Sequence, residues 1–150
     1  MTSFPEWRRD SYVITTDPAR IDAAAIHAYL VGSYWAEGIP LETVKRSLAH
    51  SINFAILAGD ALAGFGRVIT DRATFGYLGD VFVLEAHRGR GLSKWLMRCI
   101  DEHPELQGFR RWVLLTRDAH GLYRQFGYQP PAKPDRYMER HSPDVYKPKR

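Results

Sequence analysis

Leu78-Gly79-Asp80-Val81-Phe82-Val83-Leu84-Glu85-Ala86-His87-Arg88-Gly89-Arg90-Gly91-Leu92-Ser93-Lys94-Trp95-Leu96-Met97-Arg98-Cys99-Ile100 is the stretch on which the fold hinges. It reads as an apolar strand, a loop of Arg88, Gly89, Arg90 and Gly91, and a helix opening at Leu92. The helical apolar positions Leu92, Trp95, Leu96, Cys99 and Ile100 follow the i, i+3, i+4, i+7, i+8 spacing of one buried face. Where a strand passes through glycines into a helix, successive N–H groups lack intrahelical acceptors, and the helix dipole adds partial positive charge to them. Such a place suits phosphate. Neither the Gly-Lys-Ser/Thr ending of a Walker loop nor the glycine spacing of a dinucleotide fingerprint is present.

On the N-terminal side of that stretch, Tyr12-Val13-Ile14-Thr15-Thr16 has the β-branched content of a short strand, and Asp17-Pro18 reads as the cap and first turn of a helix carrying Ile21, Ala25, Ile26, Tyr29 and Leu30. Gly32 to Pro40 breaks this pattern, and Leu41, Val44 and Leu48 mark a second helix starting near Pro40. Ile52–Leu57, Ala61–Thr70 and Thr74–Leu84 then form an antiparallel meander, turning at Ala58-Gly59-Asp60 and at Asp71-Arg72-Ala73, with a bulge expected at Gly79-Asp80. On the C-terminal side the helix stops before Pro104. The near-continuous apolar run Arg111–Thr116 predicts a central strand covered on both faces and parallel to the strand before the loop. Asp118 is the expected cap of a short helix with Ala119, Leu122, Tyr123 and Phe126, closed by Gly127. The proline-rich tail leaves room for a last strand at Arg136–Glu139, and Lys147 to Arg150 is expected to fray.

A chain of 150 residues that is 45% hydrophobic supports one cored domain, residues 1–150. The net charge of +4 suits a polyanionic ligand. Basic residues are interspersed with acidic ones and form no stripe, so a nucleic-acid partner is disfavoured. The only cysteine, Cys99, excludes an internal disulfide and lies on an apolar helix face, where packing is its expected role. No run approaches the about 18 apolar residues of a membrane span, and Met1 to Trp7 lacks the features of a leader, so a soluble cytoplasmic protein is expected. No His or Cys cluster has ligand spacing, and no metal is expected.

Arg88-Gly89-Arg90-Gly91-Leu92-Ser93 resembles the Arg/Gln-x-x-Gly-x-Gly/Ala signature of the GNAT superfamily of N-acetyltransferases, with Ser93 in place of the last small residue and Glu85 where a proline is common. Leu122-Tyr123-Arg124-Gln125-Phe126-Gly127-Tyr128 resembles the same family's Leu-Tyr-x-x-x-Gly-Phe. The order of elements along the chain matches as well. The resemblance implies an α/β (α+β) fold: a twisted, mixed but mainly antiparallel sheet of about six to seven strands, flanked by about four helices. It implies acetyl-CoA as cosubstrate, its pyrophosphate held by Arg88, Gly89, Arg90, Gly91, Leu92 and Ser93 and its pantetheine arm lying along Val81, Phe82 and Val83. A primary amine, whether small molecule, amino acid derivative or peptide, would attack the thioester directly in a ternary complex. Tyr123 would protonate the departing thiolate as general acid. The family's usual asparagine before that tyrosine is absent, Thr116-Arg117-Asp118 occupying the region.

The general base is open among Asp80, Glu85 and His120, each of which also has a plain structural role as bulge, turn or surface residue. Tyr34 and Trp35, with Glu37 as an ionic partner, are equally suited to walling an acceptor site and to packing the edge of the domain. Two alternatives stand beside transfer to a free amine: a non-catalytic acyl-CoA-binding module, and an acetyltransferase of an aminoacyl-tRNA. An edge strand near the C-terminus would offer a second copy a place to pair, leaving a homodimer open.

Overall fold

The computed structural model describes residues 3–148. Six strands, β1 (Glu6–Arg9), β2 (Tyr12–Thr15), β3 (Ile52–Ala58), β4 (Ala61–Thr70), β5 (Phe75–Val83) and β6 (Arg111–Leu114), lie side by side in sequence order. All neighbours are antiparallel except β5 and β6, which are parallel because α3 (Leu92–Glu102) carries the chain from one to the other. The remaining helices are α1 (Ala23–Leu30), α2 (Leu41–Ala49) and α4 (His120–Arg124).

Strand alternation divides the core into two layers. On one face Ala55, Leu57, Phe65 and Phe82 meet Ile26, Leu30 and Val44 of α1 and α2. On the other Phe54, Ile56, Val68 and Leu78 meet Leu92, Trp95, Leu96 and Ile100 of α3. β3 is apolar at every position but Asn53, whose amide donates to the Leu48 carbonyl at 2.8 Å, because both of its faces are covered. Cys99 is buried on α3, and burial pushes its thiol up to about 12, which leaves it inert.

The meander and its turns follow the sequence. Asp71 Oδ1 accepts from the N–H groups of Ala73 and Thr74 at 2.9 and 2.8 Å, while Arg72 takes the left-handed conformation at the tip. The bulge also falls where expected. Phe65 pairs with Phe82 and Arg67 with Gly79, so β5 carries one more residue than β4 across that interval, and Asp80 sits at φ +55°.

Other expectations need correction. Residues 6–9 form a strand because Trp7 stacks on Phe54, ring centroids 6.0 Å apart, and donates its indole N–H to Glu102 at 2.9 Å. Neither partner is local in the chain. Asp17-Pro18 opens only a 3₁₀ turn, Pro18–Arg20; α1 is capped by Asp22, whose carboxylate accepts from Ala25 N at 3.1 Å. The helix carrying Tyr123 is held at its start by Thr116 Oγ1, which accepts from Ala119 N at 3.0 Å, while Asp118 pairs with its neighbour Arg117. β6 is not central but lies at the edge of the sheet. Arg111 is exposed, Trp112 to Leu114 are only partly buried, and Leu115 beyond the strand is 75% exposed. Arg136–Glu139 is not a strand: Pro134–Arg136 is a 3₁₀ turn and Met138 is almost fully exposed. Lys149 and Arg150, part of the segment expected to fray, fall outside the described residues. No helix among those described is long and apolar enough to cross a membrane.

Gly64 tests the packing of the meander. A Cβ there would stand 2.8 Å from the Phe82 carbonyl oxygen and 2.9 Å from Ile56 Cδ1. Backbone cannot swing aside as a side-chain end can, so Gly64→Ala is expected to destabilise the fold by about 1–3 kcal/mol in urea unfolding.

Candidate active site

The site begins where β5 ends. Its exit is folded back by a 3₁₀ turn, Glu85–His87, and Arg88 Nε donates to the Val83 carbonyl at 3.0 Å. Gly89 and Gly91 both lie at positive φ, +79° and +74°, a conformation that costs most other residues strain, and Gly91 is the N-cap of α3 without a side-chain cap. The helix opens with the bond from Trp95 N to Gly91 O at 3.1 Å. Among the described residues nothing accepts from the N–H groups between Gly89 and Lys94. The result is a row of backbone donors at a helix start, facing outward and flanked by Arg88, Arg90 and Lys94.

The second half of the site is a gap in the sheet. β5 and β6 pair from Phe75↔Arg111 to Leu78↔Leu114 and then part. From Gly79 to Val83, β5 pairs on its β4 side alone, so its other edge presents free peptide groups. Phe82 and Val83 direct their side chains into the core, Phe82 stacking on Tyr29 with centroids 4.0 Å apart, so this edge is backbone in character. Two adjacent aromatics from the α1–α2 loop bridge the gap. Trp35 Nε1 donates to Asp80 Oδ1 at 2.8 Å on the β5 side, and Tyr34 Oη accepts from Arg117 N at 3.2 Å on the β6 side, with the Arg117 guanidinium 3.9 Å above the Tyr34 ring. Tyr123, on α4, is 8% exposed. Its ring packs near Tyr128, but its hydroxyl has no protein partner among the described residues and is not sealed from the surface.

Residues 49–130 match the family model of the acetyltransferase (GNAT) domain. A candidate acetyltransferase of Gibberella zeae is 33% identical, the match covering 82% of this chain and 81% of that one. The chain belongs to the GNAT acetyltransferase family. A structure from Xanthomonas campestris pv. campestris, assigned to the same family, is 47% identical with a TM-score of 0.89, over 91% of this chain and 97% of that one. A Clostridium acetobutylicum structure determined with acetyl-CoA shares the fold, with a TM-score of 0.57 at 16% identity over 87% of this chain and 94% of that one.

In this GNAT chain, burial pushes the Tyr123 phenol up to about 12, and the neighbouring Tyr34 phenol acts in the same direction. The hydroxyl therefore keeps its proton throughout the neutral and mildly basic range. The three carboxylate and imidazole positions considered as bases fare differently. Asp80 is engaged through both oxygens, accepting from Trp35 and from Arg67 Nε at 2.8 Å, with only 11% of its side chain exposed. Its function in the fold is to pin the bulge, holding a left-handed aspartate that would otherwise be strained. Glu85 and His120 are exposed. Glu37 is exposed as well, beyond the Tyr34–Trp35 bridge. Leu92 is a core residue, so only its N–H faces the loop, whereas Ser93 stays half-exposed beside it.

Arg67 and Arg117 were not singled out by sequence reasoning, and no local signal marks either. Arg67 lies in an ordinary strand, where it gains meaning only by reaching Asp80 and, through Nη1 at 3.0 Å, Ser51 Oγ. Among the described residues no group of His, Cys, Asp and Glu is arranged to hold a metal ion.

Proposed function

We propose that this GNAT-family chain, as one domain of residues 1–150, transfers the acetyl group of acetyl-CoA to a primary amine, the neutral amine attacking the thioester directly within a ternary complex. The observation that carries this proposal is the row of N–H groups from Gly89 to Lys94, without partners among the described residues, one 3₁₀ turn beyond the end of a strand with a free edge. Diphosphate oxygens suit the first feature, and the amides of a pantetheine arm suit the second, where an extended chain adds to a sheet edge through main-chain hydrogen bonds. The Clostridium acetobutylicum relative, which carries acetyl-CoA on the same fold, supports that assignment.

In this scheme Arg88, Gly89, Arg90, Gly91, Leu92 and Ser93 hold the diphosphate, and Val81, Phe82 and Val83 present backbone to the arm. Binding energy from the remote ADP end then fixes the thioester without itself reacting. The amine attacks the thioester carbonyl, the C–S bond breaks, the thiolate takes the proton of the Tyr123 hydroxyl, and the proton shed by the acylated nitrogen passes to water, from which the phenolate is reprotonated. Tyr34 and Trp35, spanning the parted strands, wall the acceptor side. The outer edge of β6 is where a second copy would pair in a homodimer.

Release of free CoA thiol from acetyl-CoA in the presence of a panel of small amines, amino acid derivatives and peptides tests this function. Tight CoA binding with no thiol release from any member would instead identify an acyl-CoA-binding module, and release with an aminoacyl-tRNA alone would identify that acceptor. The pH profile gives a further prediction. Because the Tyr123 phenol is raised from 10.0 to about 12, the profile of kcat should lack a basic limb near 10, and stopped assays across the alkaline range will show whether it does.

A further inference from the structure

Two residues of the β1–β2 hairpin reach the loop at the start of α3 from far away in the sequence. Arg9, half-buried at the end of β1, donates through Nη2 to the Arg90 carbonyl oxygen at 3.2 Å. Its guanidinium also lies 5.7 Å from the Trp95 ring centroid and 3.3 Å from the point where a Cβ on Gly91 would stand. Tyr12, at the start of β2 and 7% exposed, accepts from Arg90 Nη1 at 3.1 Å, and its hydroxyl lies 2.8 Å from His87 Nδ1. The hydroxyl is thereby tied at once to the loop and to the 3₁₀ turn before it.

We propose that Arg9 is a positioning residue for the cofactor, with Tyr12 as a second pin, and that together they set the peptide planes of the loop before any ligand arrives. This inference rests on the assignment of that loop to the diphosphate. A trans peptide is planar, with its C=O and N–H pointing in opposite directions. Holding the Arg90 carbonyl toward Arg9, on the side of the β1–β2 hairpin, therefore aims the Gly91 N–H away from the hairpin, with the row formed by Gly89 to Lys94. The loop needs such help. Gly89 and Gly91 have the widest conformational freedom of any residue, and a Cβ on Gly89 would meet nothing within 4 Å, so no local packing restrains it. Arg90 is likewise tied to Tyr12, so its side chain braces the loop from behind while the amides face forward. An anchor set in advance removes ordering entropy from the binding step, the general route by which preorganisation strengthens affinity.

Calorimetry and activity on Arg9→Gln and Tyr12→Phe test the inference. Arg9→Gln is expected to weaken CoA binding by about tenfold and Tyr12→Phe by roughly threefold. Amide hydrogen exchange at His87, Arg88 and Trp95, the bonded amides on either side of the loop, should accelerate in both unliganded variants, a change that loss of a direct ligand contact would not cause. Donors separate the possibilities further. With acetyl-dephospho-CoA, which keeps the diphosphate, the Arg9→Gln penalty should persist; with S-acetylpantetheine, which lacks it, kcat/KM should equal that of the unaltered protein. Three results overturn the proposal. One is unchanged CoA affinity in Arg9→Gln. Another is a penalty that vanishes with the dephospho donor, which would mean that Arg9 touches the 3′-phosphate instead. The last is an equal penalty with S-acetylpantetheine, which would mean general disruption. Failure of the unaltered protein to bind CoA at all would be a different result, one that removes the diphosphate assignment itself.

Discussion

Tyr123→Phe is expected to lower kcat by about 10²–10⁴-fold while leaving CoA affinity within a small factor of its original value. The size follows from what the hydroxyl supplies. A thiolate leaving an acetyl group needs a proton source that is still protonated when the bond breaks, and a phenol raised to about 12 by burial qualifies at any pH the fold experiences. The ring itself is not at issue. Tyr123 is 8% exposed and packs near Tyr128, and phenylalanine keeps those contacts. Nor does the substitution orphan a partner, because no described residue bonds the hydroxyl, so the melting temperature should not fall. Steady-state kinetics together with CoA titration check both halves of the prediction. Undiminished turnover would return Tyr123 to the core as a packing residue.

Local pattern revealed the centre of this fold and missed its edges. The β5–loop–α3 stretch is legible because each of its parts is encoded nearby: an apolar run, paired glycines, then helical spacing. The bulge at Asp80 was legible too, since Gly79 interrupts a strand otherwise rich in apolar residues. β1 was not, because Glu6-Trp7-Arg8-Arg9 has no strand character of its own and is held by Trp7 against Phe54. β6 misled for the opposite reason. Its apolar run suggests two covered faces, but part of that surface is used locally, with Trp112 lying where a side chain on Gly76 would stand, 2.7 Å away. The candidate site divides in the same manner. Tyr34 and Trp35 drew notice as adjacent aromatics in a loop, yet their partners Arg117 and Asp80 are 83 and 45 residues distant. Only the folded sheet reveals that the two aromatics span its parted strands. The same holds for Arg9 and Arg90, which are 81 residues apart.

Gly91→Val is expected to weaken acetyl-CoA binding on the order of 100-fold in calorimetry. Three effects point the same way at this position. Gly91 has φ +74°, where a β-branched residue is strongly disfavoured, so the loop would rotate out of its present conformation. Its Cβ would stand 3.3 Å from Arg9 Nη2, pushing on the guanidinium that holds the Arg90 carbonyl. It is also the N-cap of α3, so any rotation there reorients the free N–H groups of the first helical turn. Backbone strain alone can be separated from damage to the loop by Gly59→Val. Gly59 has φ +62° at the β3–β4 turn, with nothing within 4 Å of its would-be Cβ, and stands outside the site. That variant should lose stability to a similar degree and keep its affinity. If Gly91→Val bound acetyl-CoA as tightly as Gly59→Val, the amides at the start of α3 could not be what grips the diphosphate, and the thioester would have to be positioned from somewhere else in the fold.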